Sequence, residues 1–100
     1  MAFNKLTPAQ AERLALLAEE CGELIQAIGK VLRHGYDLYN PHDKNSVDNR
    51  EALANELGDV LAAIDVLVAA KDVNDAAINE WRSAKQEAGS CPASLISCTL

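Results

Sequence analysis

The chain has 100 residues, of which 49% are hydrophobic and 24% are charged, so it has the size and balance of one small globular domain. Its formal net charge of −6 excludes the overall basic surface with which proteins bind duplex nucleic acid. A chain this short buries only a modest fraction of its surface, and oligomerisation is a common way to complete its core.

The N-terminus and the cysteines predict a protein of a reducing compartment. "MAFNKLTPAQ" has no apolar run of the signal-peptide kind. The longest apolar stretch, "DVLAAIDVLVAA", is interrupted by Asp65 and is too short to span a membrane. The three cysteines are odd in number and lack framework spacing, which favours free thiols. We therefore expect a cytoplasmic protein with no membrane partner.

The first predicted helix covers about residues 8–33. "TPAQ" is a strong helix start because Thr7 can act as the cap, Pro8 suits the first turn, and Gln10 completes a capping box. Apolar residues then recur at helical spacing until Gly35 supplies a stop.

A polar segment follows and predicts a long loop over residues 34–48, of the kind that is often functional or mobile. The second predicted helix, about 49–70, starts after Asp48, with Glu51 three residues further on as a box-like pair. It runs through "REALANELGDVLAAIDVLVAAK".

The third predicted helix covers about 74–88, with Asp72 or Asn74 as its cap. Residues 90–100 are predicted to form a loosely ordered tail after a helical domain of residues 1–89. No strand pattern is present in the sequence, so the predicted fold class is all-α. We expect an antiparallel helical bundle completed by oligomerisation, because wide apolar stripes would leave a monomer with much exposed apolar surface.

Helical periodicity places four carboxylates within or beside the apolar stripes. At ~100° per residue, Glu20 lies inside the stripe of the first helix and Glu23 lies at its edge, about 60° away. Glu56 and Asp59 repeat this relation on the second helix. Glu19 falls on the polar side of the first helix.

If the two stripes face each other, the four carboxylates converge, repel one another and lose hydration. The nearest basic residue along the stripe is Arg13, two turns before Glu20. Protons or a hard divalent cation would relieve the repulsion, and oxygen-only ligands favour magnesium, manganese or calcium over zinc. A single ExxE pair usually marks a solvated helix face, so the geometry alone leaves both interpretations open.

The segments "LAEECGELIQA" and "LANELGDVLAAI" resemble the EExxE…ExxD signature of the MazG-like all-α nucleoside triphosphate pyrophosphohydrolases. The resemblance covers roughly residues 14–67 and implies a bundle of at least two chains. It also implies Mg²⁺ (or Mn²⁺) and cleavage of an NTP or dNTP between the α- and β-phosphates to the monophosphate and pyrophosphate, a reaction suited to nucleotide-pool house-cleaning. The positions that match the family's metal-binding acids are Glu20, Glu23, Glu56 and Asp59.

The resemblance also suggests residues for catalysis and substrate binding. A carboxylate can accept the proton of an attacking water, and Glu19 and Glu23 are both candidates. Weaker candidates for substrate contacts, each more often a surface, loop or core residue, are Lys30, Arg33, His34, Tyr36, Arg50, Trp81, Arg82 and Lys85.

Several alternatives stay open at this level. The chain between the two acid pairs is longer than the family's usual spacer, and the C-terminal tail matches no family pattern. One alternative is a non-catalytic helical oligomer that only binds metal or nucleotide, or that acts as an interaction module. Related all-α enzymes act on dUTP or on phosphoribosyl-ATP, and the sequence selects neither base nor sugar. It also does not choose between a homodimer and a homotetramer.

Overall fold

The structure, a computed structural model, describes residues 3–38 and 47–89. Within these ranges the chain forms three helices and no strand, which confirms the all-α fold class. The helices are α1 (Pro8–His34), α2 (Asn49–Ala69) and α3 (Asp75–Glu87). The middle of the predicted loop (39–46) and the predicted tail (90–100) lie outside the described residues. The division into a domain and a tail therefore stays a prediction.

Helix α1 begins and ends at local signals in the sequence. The backbone N–H of Gln10 donates to Thr7 Oγ1 at 3.1 Å, and the backbone N–H of Thr7 donates to Gln10 Oε1 at 2.9 Å. This pair of bonds is the predicted capping box. Gly35 ends the helix with φ 84°, a conformation that glycine adopts without a Cβ clash, and its N–H donates to the carbonyl of Val31.

The other two helices begin at side-chain caps. The backbone N–H of Glu51 donates to Asp48 Oδ1 at 2.8 Å at the start of α2. The backbone N–H of Ala77 donates to Asn74 Oδ1 at 3.1 Å at the start of α3. Of the two caps predicted for α3, the structure therefore selects Asn74.

Helices α1 and α2 pack against each other in antiparallel order. Asn49 Nδ2, at the start of α2, donates to the carbonyl of Gly35, at the end of α1, at 2.9 Å. At the other end, Arg13 binds Asp72, just beyond α2. Residues further along α1 thus meet residues earlier on α2, and this order brings the two acid pairs to the same level.

One chain buries little apolar surface in this arrangement. Among the described residues, the buried hydrophobic side chains are Ala63 and Leu67, each 3% exposed. Helix α3 has no buried residue, and Trp81 is 75% exposed, so it does not anchor α3 into a core of this chain. Further large apolar side chains with substantial exposure are Leu14, Leu16, Ile25, Ile28, Leu32, Leu57, Leu61 and Val66. Within the described ranges, no helix has the length and hydropathy required to cross a membrane.

Candidate metal centre

Four carboxylates meet where α1 faces α2. Glu20, Glu23, Glu56 and Asp59 each offer one carboxylate oxygen, and these oxygens lie within 4.8 Å of one another. Each acid pair is separated by three positions on its helix, which places both members on one face. Oxygens that bind one Mg²⁺ or Ca²⁺ at about 2.0–2.6 Å lie at most roughly 4–5 Å apart. A single hard cation therefore fits the spacing.

Two oxygens in this cluster are buried without a hydrogen bond. Among the described residues, Glu20 Oε2 and Glu56 Oε2 have no hydrogen-bond partner, although each atom is shielded from solvent. Buried polar atoms in proteins are nearly always paired. A divalent cation coordinated by oxygen would provide a partner for both unpaired carboxylate oxygens, one from each helix.

The electrostatics of the cluster also favour a bound cation. Burial is the largest effect that raises the pKa of Glu20, followed by the negative charges of Glu23 and Asp59. Burial also comes first in raising the pKa of Glu56, followed by the charges of Glu23 and Asp59. A hydrogen bond with Glu23 raises the pKa of Glu56 further, while the ammonium of Lys30 lowers it. A bound cation would reverse these shifts by favouring the charged form of each acid.

Arg13, the nearest basic residue along the stripe of α1, forms an ion pair with Asp72, which is not one of the four acids. Arg13 Nε donates to Asp72 Oδ2 at 2.6 Å, and Nη2 donates to Asp72 Oδ1 at 3.0 Å. This two-bond pair commits the guanidinium to the turn between α2 and α3. The cation whose charge acts on Glu56 is Lys30. Chain distance along α1 favoured Arg13, but the antiparallel packing of α2 decides which basic residue faces the acids.

Two clefts open from the carboxylates. The first, which we call the Lys30 cleft, has a volume of about 360 Å³ and is lined by Glu23, Gln26, Ala27, Lys30, Asn49, Ala52 and Glu56. The second, which we call the Val66 cleft, has a volume of about 180 Å³ and is lined by Leu16, Glu20, Asp59, Ala62, Ala63 and Val66. The first is polar and contains a cation, whereas the second is apolar apart from its two acids. Sequence reasoning did not single out Gln26 or Asn49, because an amide side chain on a helix carries no signal of its own.

The first turn of α2 borders the Lys30 cleft, but its backbone donors are already used. The N–H of Asn49 donates to the carbonyl of Leu38 at 2.9 Å, and the N–H of Arg50 donates to the carbonyl of Tyr36 at 2.8 Å. The N–H of Glu51 donates to its cap. A helix N-terminus binds anions through free N–H groups, so the donors for an anion in this cleft must come from side chains.

Four weaker sequence candidates lie at the end of α1 or just beyond it, and on the first turn of α2. His34 and Arg33 are exposed in the last turn of α1. The guanidinium of Arg50 lies 4.7 Å from the centroid of the Tyr36 ring, and its Nη2 is 3.1 Å from Asp37 Oδ1. None of these four candidates lines either cleft.

The remaining candidates are on α3. Trp81, Arg82 and Lys85 are exposed and line neither cleft, and Arg82 donates a hydrogen bond to Asn79. Within one chain, α3 therefore brings no side chain to the carboxylates. Lys30 is the weaker candidate that the structure does place beside them.

A comparison with protein families decides the class of protein. The model of the MazG nucleotide pyrophosphohydrolase domain matches residues 9–81. The chain belongs to the MazG family. The matched region contains all four carboxylates and both clefts, and the match supports nucleotide pyrophosphohydrolase activity in general. MazG proteins typically depend on a metal, and this chain has an acidic group that could bind one. No similar curated protein or solved structure was found.

Proposed function

We propose that this MazG protein is a Mg²⁺-dependent pyrophosphohydrolase that acts on a nucleoside triphosphate, either an NTP or a dNTP. The products are the nucleoside monophosphate and pyrophosphate. The observation that carries the proposal is the convergence of four carboxylates with two buried, unpaired oxygens at one point between α1 and α2. Mn²⁺ has similar ligand preferences and is expected to substitute.

The residues that would hold the cation are Glu20, Glu23, Glu56 and Asp59. When bound, the cation supplies positive charge to the phosphate oxygens and lowers the pKa of water. In the reaction, the water oxygen bonds to the α-phosphorus and the bond to the bridging oxygen breaks. That oxygen leaves with the electron pair on pyrophosphate, and the water proton passes to a carboxylate of the chain.

Glu19 and Glu23 are the two candidates for that proton acceptor. Glu23 lines the Lys30 cleft, and Glu19 is exposed but close enough for its charge to raise the pKa of Glu20. Glu19→Gln and Glu23→Gln separate the roles: loss of turnover with Mg²⁺ affinity kept identifies the base. Loss of Mg²⁺ affinity identifies a ligand.

We propose further that the working form is a homodimer or homotetramer. The exposed apolar side chains along all three helices and the small buried core of one chain support this proposal. Sedimentation of the wild-type protein should show an assembly of two or four chains. A monomer with full hydrolytic activity would contradict this part of the proposal.

A cytoplasmic location of the protein also stays a prediction.

The central experiment is a substrate panel with Mg²⁺ and detection of pyrophosphate. The panel contains the common NTPs and dNTPs together with dUTP and phosphoribosyl-ATP. Glu20→Gln and Asp59→Asn should abolish release while the helical circular dichroism signal is retained. The matched control is Asp65→Asn, which makes the same change at an exposed position of α2 that lines neither cleft.

The main alternative is a non-catalytic helical oligomer that binds metal or nucleotide. Calorimetry with Mg²⁺ alone distinguishes it from the enzyme. Mg²⁺ binding that is lost in Glu20→Gln, without pyrophosphate release from any panel member, would support the binding module and refute the enzyme.

A further inference from the structure

We propose that the two clefts divide the nucleotide between them. The Lys30 cleft receives the β- and γ-phosphates, which leave as pyrophosphate, and the Val66 cleft receives the nucleoside. This orientation rests on the proposed function, because it assumes that the scissile bond lies over the carboxylates between the clefts.

Charge distinguishes the clefts. Among the described residues that line them, Lys30 is the only cation, and it belongs to the larger cleft. The β- and γ-phosphates carry most of the negative charge of a triphosphate, and the leaving oxygen gains more as the bond breaks. An ammonium group on that side stabilises the developing charge. On the other side, Glu20 and Asp59 would repel the same phosphates without a basic residue of this chain to compensate.

Uncharged donors add to this difference. Gln26 lines the Lys30 cleft beside Lys30 and provides an amide donor. Asn49 also lines it, and its Nδ2 donates to the carbonyl of Gly35, which fixes the end of α1 against the start of α2. Because the first N–H groups of α2 are occupied, Lys30 and Gln26 are the cleft side chains best suited to bind phosphate oxygens.

The Val66 cleft has the opposite chemistry. Apart from its two acids, its walls are Leu16, Ala62, Ala63 and Val66, none of which has a side-chain hydrogen-bond donor. A base and sugar can cover such walls with apolar surface, whereas phosphate oxygens would lose their hydration there without compensation.

The test measures product binding directly and does not depend on turnover. Calorimetry in Mg²⁺ is performed with pyrophosphate and, separately, with AMP, CMP, GMP and UMP. Lys30→Gln should weaken pyrophosphate binding roughly ten- to hundredfold, as expected for a charge-assisted hydrogen bond, and leave monophosphate binding unchanged. The control is Lys5→Gln, at an exposed lysine that lines neither cleft.

A second variant tests the other cleft. Ala62→Met adds a long apolar side chain to the Val66 cleft and should weaken monophosphate binding while leaving pyrophosphate binding unchanged. Its control is Ala54→Met, the same change at an exposed position of α2 that lines neither cleft. Sedimentation of both variants checks that the assembly is unchanged.

The outcomes separate this inference from the proposed function. Unchanged pyrophosphate binding in Lys30→Gln, the reverse pattern between the two products, or no binding of either product by the wild type would overturn the division of the site. The expected pattern in a protein that hydrolyses no triphosphate would support the division and refute the proposed reaction.

Discussion

Carboxylates are partly buried at two places along the α1–α2 pair, and their pKa values are shifted in opposite directions at these two places. The side chain of Asp72 is only 12% exposed, and it receives two hydrogen bonds from Arg13. The hydrogen bond from Arg13 is the largest of the effects that hold the pKa of Asp72 below its ordinary value, although burial opposes it. At the four-acid cluster, burial and like charges instead raise the pKa values of Glu20 and Glu56.

The difference separates an acid that stabilises the fold from four acids that we propose bind a cation. Asp72 is paired with the guanidinium of Arg13, and this ion pair joins α1 to the turn between α2 and α3. The cluster brings together acids that destabilise one another in the absence of a cation from outside the chain. Titratable groups perturbed in this way concentrate at functional sites. Three experiments test the contrast between the two places, and a fourth tests an exposed ion pair outside both.

The largest expected effect is on activity. Glu56→Gln should lower Mg²⁺-dependent pyrophosphate release by more than about a hundredfold, because loss of a group that merely supports a metal ligand already costs 10–100-fold. Asp72→Asn, also a change of one carboxylate to an amide, should leave turnover per folded molecule close to that of the wild type. Similar losses in both variants would remove the distinction between the two places.

Stability without metal should change in opposite directions. In EDTA at neutral pH, Glu20→Gln should raise the free energy of unfolding, because it removes one charge from a repelling group. Asp72→Asn should lower it, because Arg13 loses its charged partner. Urea denaturation of both variants beside the wild type measures the two effects. A destabilised Glu20→Gln protein would show that the carboxylate has a structural partner after all.

The pH dependence of the metal-free protein should separate the same groups. Raised pKa values mean that the folded form binds protons more readily at Glu20 and Glu56. Their contribution to stability should therefore grow as the pH falls from neutral, and be complete below their ordinary value of 4.5. Asp72 should act in the opposite sense, with its contribution lost as the pH falls below its ordinary value of 3.8. The midpoints of urea denaturation of the wild type and of Asp72→Asn, measured across this pH range, test both directions of the stability change.

The smallest effect is expected at the exposed ion pair near the end of α1. The side chains of Arg50 and Asp37 are 62% and 86% exposed. Pairs of this kind typically contribute about 0–1 kcal/mol. Arg50→Gln should therefore change stability little, and activity should be kept because Arg50 lines neither cleft. A large loss of activity would instead support the substrate contact predicted from the sequence.

Much of the fold and part of the site could be predicted because they depend on local interactions. Thr7 and Gln10 cap α1 across three positions, and Gly35 ends α1 through its own φ angle. Positions i and i+3 share a helix face in any helix. The sequence therefore already placed Glu20 and Glu23 together on α1, and the resemblance to MazG proteins that these acids suggested is confirmed by the family match.

Only the tertiary structure decided which groups face each other across the two helices. Arg13 meets Asp72, 59 positions away, and Lys30 rather than Arg13 acts on Glu56. Helical periodicity gives the angle of each side chain around its own axis, but it does not say which turn of α2 lies beside which turn of α1. The register of α2 against α1 also forms the Lys30 cleft. Gln26 and Asn49 line this cleft, although the sequence around them does not predict it.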